Sequence, residues 1–393
     1  MTRKNKITFF IYGAVFLSEF SFFFVLPLLG ISPLITAANV AFYLAGSVIL
    51  ESILMVTTTK LFEKYSRKLL MASAFILRSA AFLFITLSAM PSAWLSFFTL
   101  TALSKAIAKP FLREILTEHL NGKTLKRALT LYSFFQNAAV FIAPLVATIT
   151  IKYNVSVFVL FFFAVIGLYF CFLSIKIVYN YPQKKTSLEK DKKTPTAFLS
   201  SCKKIISNRS LRYLLITALL CSSIMGIFLT TTTLLSKFDS NLAPYSGLFF
   251  STVGISICLW QGIMNKHLTL SDKTTFYLIW LTGSLASFYL IGGVSTAMIA
   301  LIAYSVYESV IIPEIYYNAG KTTAALSSSV IFSYILVVSN IGQAAGSWMS
   351  GWIISHFNSH VSLIFFMITI ASTFASSMCL IQAKKHEDFQ CGI

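Results

Sequence analysis

Six charged side chains lie within long apolar stretches of this sequence, where charges are rare. These residues are Glu19, Glu51, Arg78, Lys105, Lys109 and Glu308. A charge at the middle of a bilayer costs at least about 2.5 kcal/mol on insertion scales, so such residues usually face a protein interior or a water-filled cavity. There a carboxyl group can take up and release a proton, and a lysine or arginine can hold an anion. The six residues therefore predict proton transfer or anion binding within a membrane.

The cations of one segment repeat at four-residue steps. In "TALSKAIAKPFLREIL", residues 101–116, Lys105, Lys109 and Arg113 follow one another in this way. A four-residue step turns a helix by roughly 400°, so the three side chains form one basic stripe. Arg113 is near enough to the end of the segment to reach the membrane surface. Pro110 predicts a kink within this stripe, because proline removes a helical hydrogen bond.

The composition indicates which elements must position these residues. Hydrophobic residues make up 56% of the chain and charged residues 11%, with 37 phenylalanines and a mean hydropathy of +0.78. Twelve apolar runs follow one another along the chain, each about 20 residues long, which is the length of a helix that spans a bilayer. The runs are continuous and do not alternate, which argues against the strands of a membrane barrel. We therefore predict an all-α membrane protein with twelve transmembrane helices.

The positions of the basic residues predict the orientation of the chain. If both termini are cytoplasmic, all but five of the 31 lysines and arginines fall in cytoplasmic segments. Lys152 and Lys237 are the two that fall in the opposite loops, and the other three lie within helices. This distribution follows the positive-inside rule, so the basic composition requires no nucleic-acid partner. We expect a multi-pass protein with cytoplasmic N- and C-termini.

A polar segment divides the chain into two halves. Residues 178–210 are rich in lysine and arginine, which predicts a basic cytoplasmic connector. The segment separates an N-terminal six-helix bundle at 1–177 from a C-terminal six-helix bundle at 211–393. Its basic residues could also attract anionic lipid headgroups.

The two halves look like copies of one unit. An offset of 203 residues places Pro110 on Pro313 and Asn137 on Asn340. Small residues of the predicted fifth and eleventh helices coincide at the same offset. These matches predict a duplicated chain with two pseudo-symmetric bundles.

Two short segments resemble motifs of the major facilitator superfamily of secondary transporters. The segment "TKLFEKYSRK" at 59–68 is similar to the family motif G-x-L-x-D-R-x-G-R-[KR]. Arg67 and Lys68 match that motif, Glu63 keeps the charge of its acid, and both glycines are replaced. The segment "AVFIAP" at 139–144 is similar to a motif in the fifth helix of antiporters, with alanines in place of glycines. With twelve helices in two halves, the resemblance covers the whole chain and points to bacterial drug and siderophore exporters.

The resemblance implies roles for four of the buried charges. In this family the first, fourth, seventh and tenth helices line a central cavity. Glu19 would carry the proton there, with Glu308 as the second candidate, because each is a carboxyl group within that cavity. Lys105 and Lys109 would bind an anionic part of the substrate. Alternatively, Lys105 and Glu308, which the 203-residue offset aligns, form only an ion pair between helices.

The remaining predicted site residues are less directly tied to charge. They are substrate contacts at Asn137, Asn340, Phe23 and Phe134, a conformational latch at Glu63, Arg67 and Lys68, and a buried ion pair between Glu51 and Arg78. For the two asparagines, hydrogen bonds that pack helices together are an equal alternative.

These observations predict a proton-coupled transporter of the bacterial cytoplasmic (inner) membrane that exports an amphipathic organic anion, such as a carboxylate siderophore. A multidrug/H+ antiporter, an importer of organic anions or phosphate esters, and a non-transporting membrane sensor are the alternatives. The sequence contains no hydrolase, metalloprotease or P-loop motif, so we expect no enzyme activity and energy from an ion gradient. We expect a monomer with a small-molecule substrate, no cofactor and no bound metal.

Overall fold

The computed structural model describes residues 3–64, 67–88, 90–119, 122–179, 205–267, 272–321, 328–357 and 360–391. Twelve long helices account for nearly all of these residues, and no strand occurs in the ranges described. The first six helices are α1 (Arg3–Ile31), α2 (Ala37–Lys64), α3 (Arg67–Leu87), α4 (Pro91–His119), α5 (Gly122–Lys152) and α6 (Ser156–Tyr179).

The second six helices are α7 (Arg209–Phe238), α8 (Ser246–His267), α9 (Asp272–Ala286), α10 (Val294–Lys321), α11 (Ser328–His356) and α12 (Val361–Cys391). Short 3-10 turns at Ala243–Tyr245 and Ser287–Leu290 precede α8 and follow α9. Within the described part of the chain, nine of the twelve helices are long and apolar enough to cross a bilayer by themselves. The other three are α4, which carries the basic stripe, α9, which has only 15 residues, and α11.

The helix boundaries repeat after 203 residues, as the sequence predicts. Helix α4 begins at Pro91, and α10 begins 203 residues later, at Val294. Helix α2 ends at Lys64, and α8 ends 203 residues later, at His267. The fold is therefore two pseudo-symmetric six-helix bundles. Most of the predicted connector lies outside the described residues, so the predicted domain boundaries remain a prediction.

Among the described residues, four helix pairs make most of the contacts between the two bundles: α1 with α7, α2 with α7, α2 with α11, and α5 with α8. Small residues permit these pairs to approach closely. A Cβ atom on Gly254 of α8 would collide with the backbone of Phe141 in α5, and one on Gly351 of α11 would collide with Ala41 in α2. One hydrophobic core cluster accordingly continues through both bundles.

The bundles are joined at the end that carries the α1–α2 and α7–α8 loops. Ser236 Oγ donates a hydrogen bond to the carbonyl oxygen of Gly30 over 2.7 Å. Lys237 Nζ donates to the carbonyl oxygen of Ser32, also over 2.7 Å. This loop end is the one that the charge distribution predicts to be outside. We call these contacts the outer seal.

Candidate functional site

Four helices of the first bundle bring five charged side chains together. The set comprises Glu19 from α1, Glu51 from α2, Arg78 from α3, and Lys105 and Lys109 from α4, and we call it the N-terminal charge cluster. Four of these residues are at most 8% exposed, while the Lys109 side chain is 27% exposed. Buried charges of this kind require partners, because removing an ion from water costs several kcal/mol.

The two lysines share the two carboxylates. Lys105 Nζ lies 3.2 Å from Glu19 Oε2, and Lys109 Nζ lies 2.9 Å from Glu51 Oε1 and 3.8 Å from Glu19 Oε1. Glu19 therefore bridges the two lysines. The four-residue spacing makes this possible, since it places both lysines on one face of α4.

Arg78 has hydroxyl partners, and no carboxylate of the described residues is in direct contact with it. Its Nε donates to Ser104 Oγ over 3.3 Å, and its Nη1 donates to Ser21 Oγ over 3.2 Å. The predicted direct ion pair between Glu51 and Arg78 is therefore wrong. The reason is geometric: Lys109 Nζ already occupies Glu51 at 2.9 Å, so Glu51 is directed towards α4 and not towards α3.

Lys105 does not pair with Glu308, and that alternative is also wrong. Besides Glu19, Lys105 Nζ contacts the ring of Phe22, whose centroid is 3.9 Å away. A cation over an aromatic face is attracted by the ring quadrupole. The carboxylate and the ring thus hold Lys105 within the first bundle.

Glu308 lies on α10 in a different environment. Its neighbours include the side chains of Tyr304, one helical turn earlier, Tyr307 and Cys221 of α7. Within the residues that the structure describes, no cation forms an ion pair with Glu308. We call this set the C-terminal tyrosine site. It is aromatic and carries one carboxyl group.

The charges of the N-terminal cluster do not balance. Three cations stand against two carboxylates, which leaves one surplus positive charge. Among the described residues, the ion pairs of this cluster are those that join the two lysines to the two glutamates. A buried, uncompensated cation attracts an anion, so the cluster can bind a single negative charge.

The two asparagines that were predicted to contact substrate instead connect the bundles. Asn340 Nδ2 of α11 donates to Ser52 Oγ of α2 over 2.6 Å. Asn137 Nδ2 of α5 donates to Gln261 Oε1 of α8 over 3.4 Å. In this conformation the alternative role, packing hydrogen bonds, describes both residues. Because the two asparagines are equivalent in the repeat, the pattern is pseudo-symmetric.

The two predicted aromatic contacts differ in exposure. Phe23 is 9% exposed and packs edge-on against Phe250 of α8, with ring centroids 6.1 Å apart. Phe134 is 46% exposed and touches Phe135. The ring that reaches the charge cluster is that of Phe22, which the predicted set omits.

Sequence reasoning also missed the polar partners of the cluster. Ser21 lies two residues after Glu19, and Ser104 directly precedes Lys105. Their positions beside buried charges, within otherwise apolar runs, were the available signal.

The predicted conformational latch lies mostly outside the part of the chain that the structure describes, because the side chains of Glu63 and Arg67 are not among the described residues. Lys68 is half-buried near the start of α3.

Two six-helix bundles that enclose buried charges define a secondary membrane transporter. A sequence model of the Major Facilitator Superfamily matches residues 8–324. The chain belongs to this family and is a multi-pass membrane transporter of small molecules, not an enzyme. A search of curated proteins gave no significant match.

Solved transporter structures share this fold at low sequence identity. A bacterial homolog of the human lysosomal transporter Spinster, inward-facing and unoccupied, is 12% identical with a TM-score of 0.68 over 98% of this chain and 96% of that one. The peptide transporter POT in complex with sulfate is 14% identical, with a TM-score of 0.71 over 98% and 95%. The human organic anion transporter MFSD10 (TETRAN) is 12% identical, with a TM-score of 0.64 over 96% and 100%.

Proposed function

We propose that this protein is a proton-coupled transporter that exports an amphipathic organic anion from the bacterial cytoplasm, as a monomer with both termini cytoplasmic and without a cofactor. The observation that carries the proposal is the surplus positive charge of the N-terminal charge cluster. A substrate with one carboxylate would neutralise that charge. The low identity of the solved neighbours limits them to the fold, so the substrate class rests on the cluster alone.

Lys105 is the proposed centre of substrate binding. Its ammonium group lies between the carboxylate of Glu19 and the ring of Phe22. A substrate carboxylate can replace Glu19 as the partner of Lys105, while an apolar part of the substrate packs on Phe22. Lys109 has the more exposed side chain and would be the first cation to meet the anion. This arrangement favours an anion with an aromatic or aliphatic body, such as a carboxylate siderophore.

Glu308 is the proposed proton carrier, and Glu19 is the second candidate. Protonating Glu19 would leave Lys105 and Lys109 without the carboxylate that they share, which is costly for buried charges. Protonating Glu308 breaks no ion pair among the described residues. Glu308 also interacts with the hydroxyl-bearing side chain of Tyr304, which can remain a hydrogen-bond partner in both protonation states. These contacts support Glu308 over Glu19 as the proton carrier.

The proposed direction, export, is supported by the segment of α5 at 139–144. In this segment Phe141 accepts a hydrogen bond from Ser251 Oγ of α8 through its backbone carbonyl, over 2.7 Å. Gly254 of α8 lies against the Phe141 backbone. The segment that resembles an antiporter motif therefore lies at an interface between the bundles, where relative movement would occur.

Everted membrane vesicles provide the test. A pH gradient, acid inside, is established, and its collapse is followed with a fluorescent pH dye after addition of salicylate, citrate or ethidium. We expect salicylate, an aromatic monoanion, to release protons from vesicles that contain the protein and not from vesicles without it. Proton release by ethidium alone would contradict the proposal. Uptake of radiolabelled salicylate by whole cells without efflux would assign the importer alternative.

A multidrug antiporter is the second candidate, and the C-terminal tyrosine site favours it. Tyr304, a neighbour of Glu308, lies near Phe228, and the two ring centroids are 5.2 Å apart. A carboxylate beside aromatic faces can hold an organic cation. In that case, ethidium would release protons in a way that depends on Glu308 and not on Lys105.

A further inference from the structure

A small cavity lies inside the first bundle, beside the surplus cation. Side chains of α1, α3, α4 and α5 line it, and Glu19, Arg78, Ser104, Lys109 and Gln136 supply polar groups. The cavity volume is about 10 Å³, close to the minimum that holds one water-sized particle. It is too small for an organic substrate.

Arg78 presents unused hydrogen-bond capacity to this cavity. The residue is 3% exposed, and its hydrogen bonds to Ser104 and Ser21 use Nε and Nη1. Its Nη2 group finds no acceptor among the described residues. A guanidinium carries five donors in a fixed plane, so an acceptor within the cavity would complete its coordination. The Ser104 hydroxyl accepts from Nε and still has its own hydrogen to donate.

The formal charges of the cluster favour a negative charge at this place. The cluster has one more cation than carboxylates, and Lys105 and Lys109 already engage both carboxylates. Of the three cations, Arg78 is therefore the one without a direct counterion in the part of the chain that the structure describes. Glu19 also borders the cavity and would repel an anion, but its charge is shared by the two lysines. A monovalent ion of the size of a water molecule would balance the charge and fill the space.

We propose that this cavity is a binding site for a halide-sized inorganic anion, chloride. Arg78, Ser104 and Lys109 hold the ion, and the Gln136 amide can add a further donor. The site lies apart from the contact of Lys105 with Phe22 but shares Lys109 and the surplus charge with the proposed substrate, so chloride occupies it while no substrate is bound. It depends neither on the direction nor on the coupling of transport, so its test is independent of those proposals.

The test measures halide binding to the purified full-length protein in detergent. Sodium bromide replaces sodium gluconate at constant ionic strength, and thermal unfolding is recorded at each composition. A bound ion stabilises the folded state by mass action, so we expect the midpoint to rise by about 2 °C at ten times the dissociation constant. Arg78→Gln removes the rise, Arg78→Lys retains most of it, and Lys152→Gln, which changes an exposed cation, leaves it unchanged.

A second variant and a second measurement do not depend on the stability of Arg78→Gln. Ser104→Ala keeps every charge of the cluster and weakens bromide binding by about 5- to 10-fold, the effect of one lost hydrogen bond. Anomalous scattering from bromide-soaked crystals places one ion beside Arg78. An equal midpoint in bromide and gluconate for the wild-type protein would overturn the proposal, as would an unchanged rise in both Arg78→Gln and Ser104→Ala.

Discussion

The two bundles of this transporter share one helical plan and carry opposite chemistry. The first contains five charged side chains with a surplus cation, whereas the second holds Glu308 among tyrosines. The 203-residue offset makes the difference explicit: Glu51 corresponds to Gly254, and Arg78 corresponds to Leu281. Lys105 and Glu308 are the one pair of cluster positions that is charged in both halves. The positions of the helices are thus repeated, while one half holds a charge cluster with a surplus cation and the other holds Glu308 among tyrosines.

The packing of the helices also differs between the two bundles. In the second bundle, Cβ atoms on Gly342 and Gly346 of α11 would collide with backbone carbonyl oxygens of α7. The equivalent positions in α5 are Ala139 and Ala143, which are fully buried. Helices α7 and α11 therefore approach more closely than alanine would permit, whereas α1 and α5 accommodate a Cβ atom at each position. The wider spacing fits the bundle that must contain five buried charged side chains.

The largest expected effect comes from Glu308→Gln, which removes the proposed proton carrier. Proton release driven by salicylate should be lost completely, because the amide cannot ionise. Exchange of labelled salicylate for unlabelled salicylate without a pH gradient should persist, since the proposed anion site is in the other bundle. Parallel vesicle assays of proton release and exchange measure both.

Glu314→Gln is the matched control, because Glu314 lies on the same helix and forms an ion pair with Lys384 at 2.8 Å. We expect this variant to retain coupling. If Glu308→Gln and Glu314→Gln behave alike, Glu308 has no special part in coupling, and Glu19 becomes the candidate.

Lys105→Ala tests whether the N-terminal charge cluster binds the anionic substrate. Loss of one charge-assisted hydrogen bond should raise the concentration of salicylate for half-maximal exchange by about 10- to 100-fold. Lys152→Ala, at an exposed position, should leave exchange unchanged. Normal exchange by Lys105→Ala would show that the surplus charge of the cluster does not select the substrate.

Exchanging the charges of Glu19 and Lys105 tests whether this buried pair serves substrate binding or only helix packing. Glu19→Lys alone places like charges together and should lower the free energy of unfolding by about 3 to 5 kcal/mol, as for a broken buried pair. The double variant Glu19→Lys with Lys105→Glu restores a pair and should recover most of this loss in thermal unfolding. Its salicylate exchange should remain absent, and recovery of exchange would identify the pair as purely structural.

The smallest effect concerns the asparagines that join the bundles. Asn340→Val removes the 2.6 Å bond to Ser52, and Asn137→Val removes the 3.4 Å bond to Gln261. Hydrogen bonds between transmembrane helices contribute about 0.6 kcal/mol on average. The shorter bond should matter more, so Asn340→Val should shift the distance distribution between spin labels on the two bundles further than Asn137→Val does. Equal shifts would contradict the ranking of the two bonds.

Much of the fold could be predicted because it depends on local pattern. Apolar run length gives the twelve helices, and the positions of Pro110 and Pro313 give the offset that the helix boundaries follow. The burial of charges such as Glu19 and Lys105 was equally predictable, since both lie within apolar runs.

The pairing of the charges could not be predicted in the same way. The 203-residue offset shows that Lys105 and Glu308 occupy corresponding positions in the two halves. It does not predict that their side chains are in contact. Contact depends on how α1 and α2 rotate against α4, which hydropathy does not determine. The same limit applies to Phe22 and Phe23, adjacent aromatics of which one reaches Lys105 and the other reaches α8.

The outer seal also provides a chemical probe for the separation of the two bundles. The ammonium group of Lys237 donates a hydrogen bond to the carbonyl oxygen of Ser32 in the other bundle, whereas Lys152 is exposed. In the orientation that the charges predict, both amines lie on the outer face, within reach of a membrane-impermeant acylating reagent. Lys152 would react at a constant rate, and Lys237 would react only while the bundles are apart. The ratio of the two acylation rates, read by mass spectrometry of intact cells, would follow the opening of the transporter during turnover.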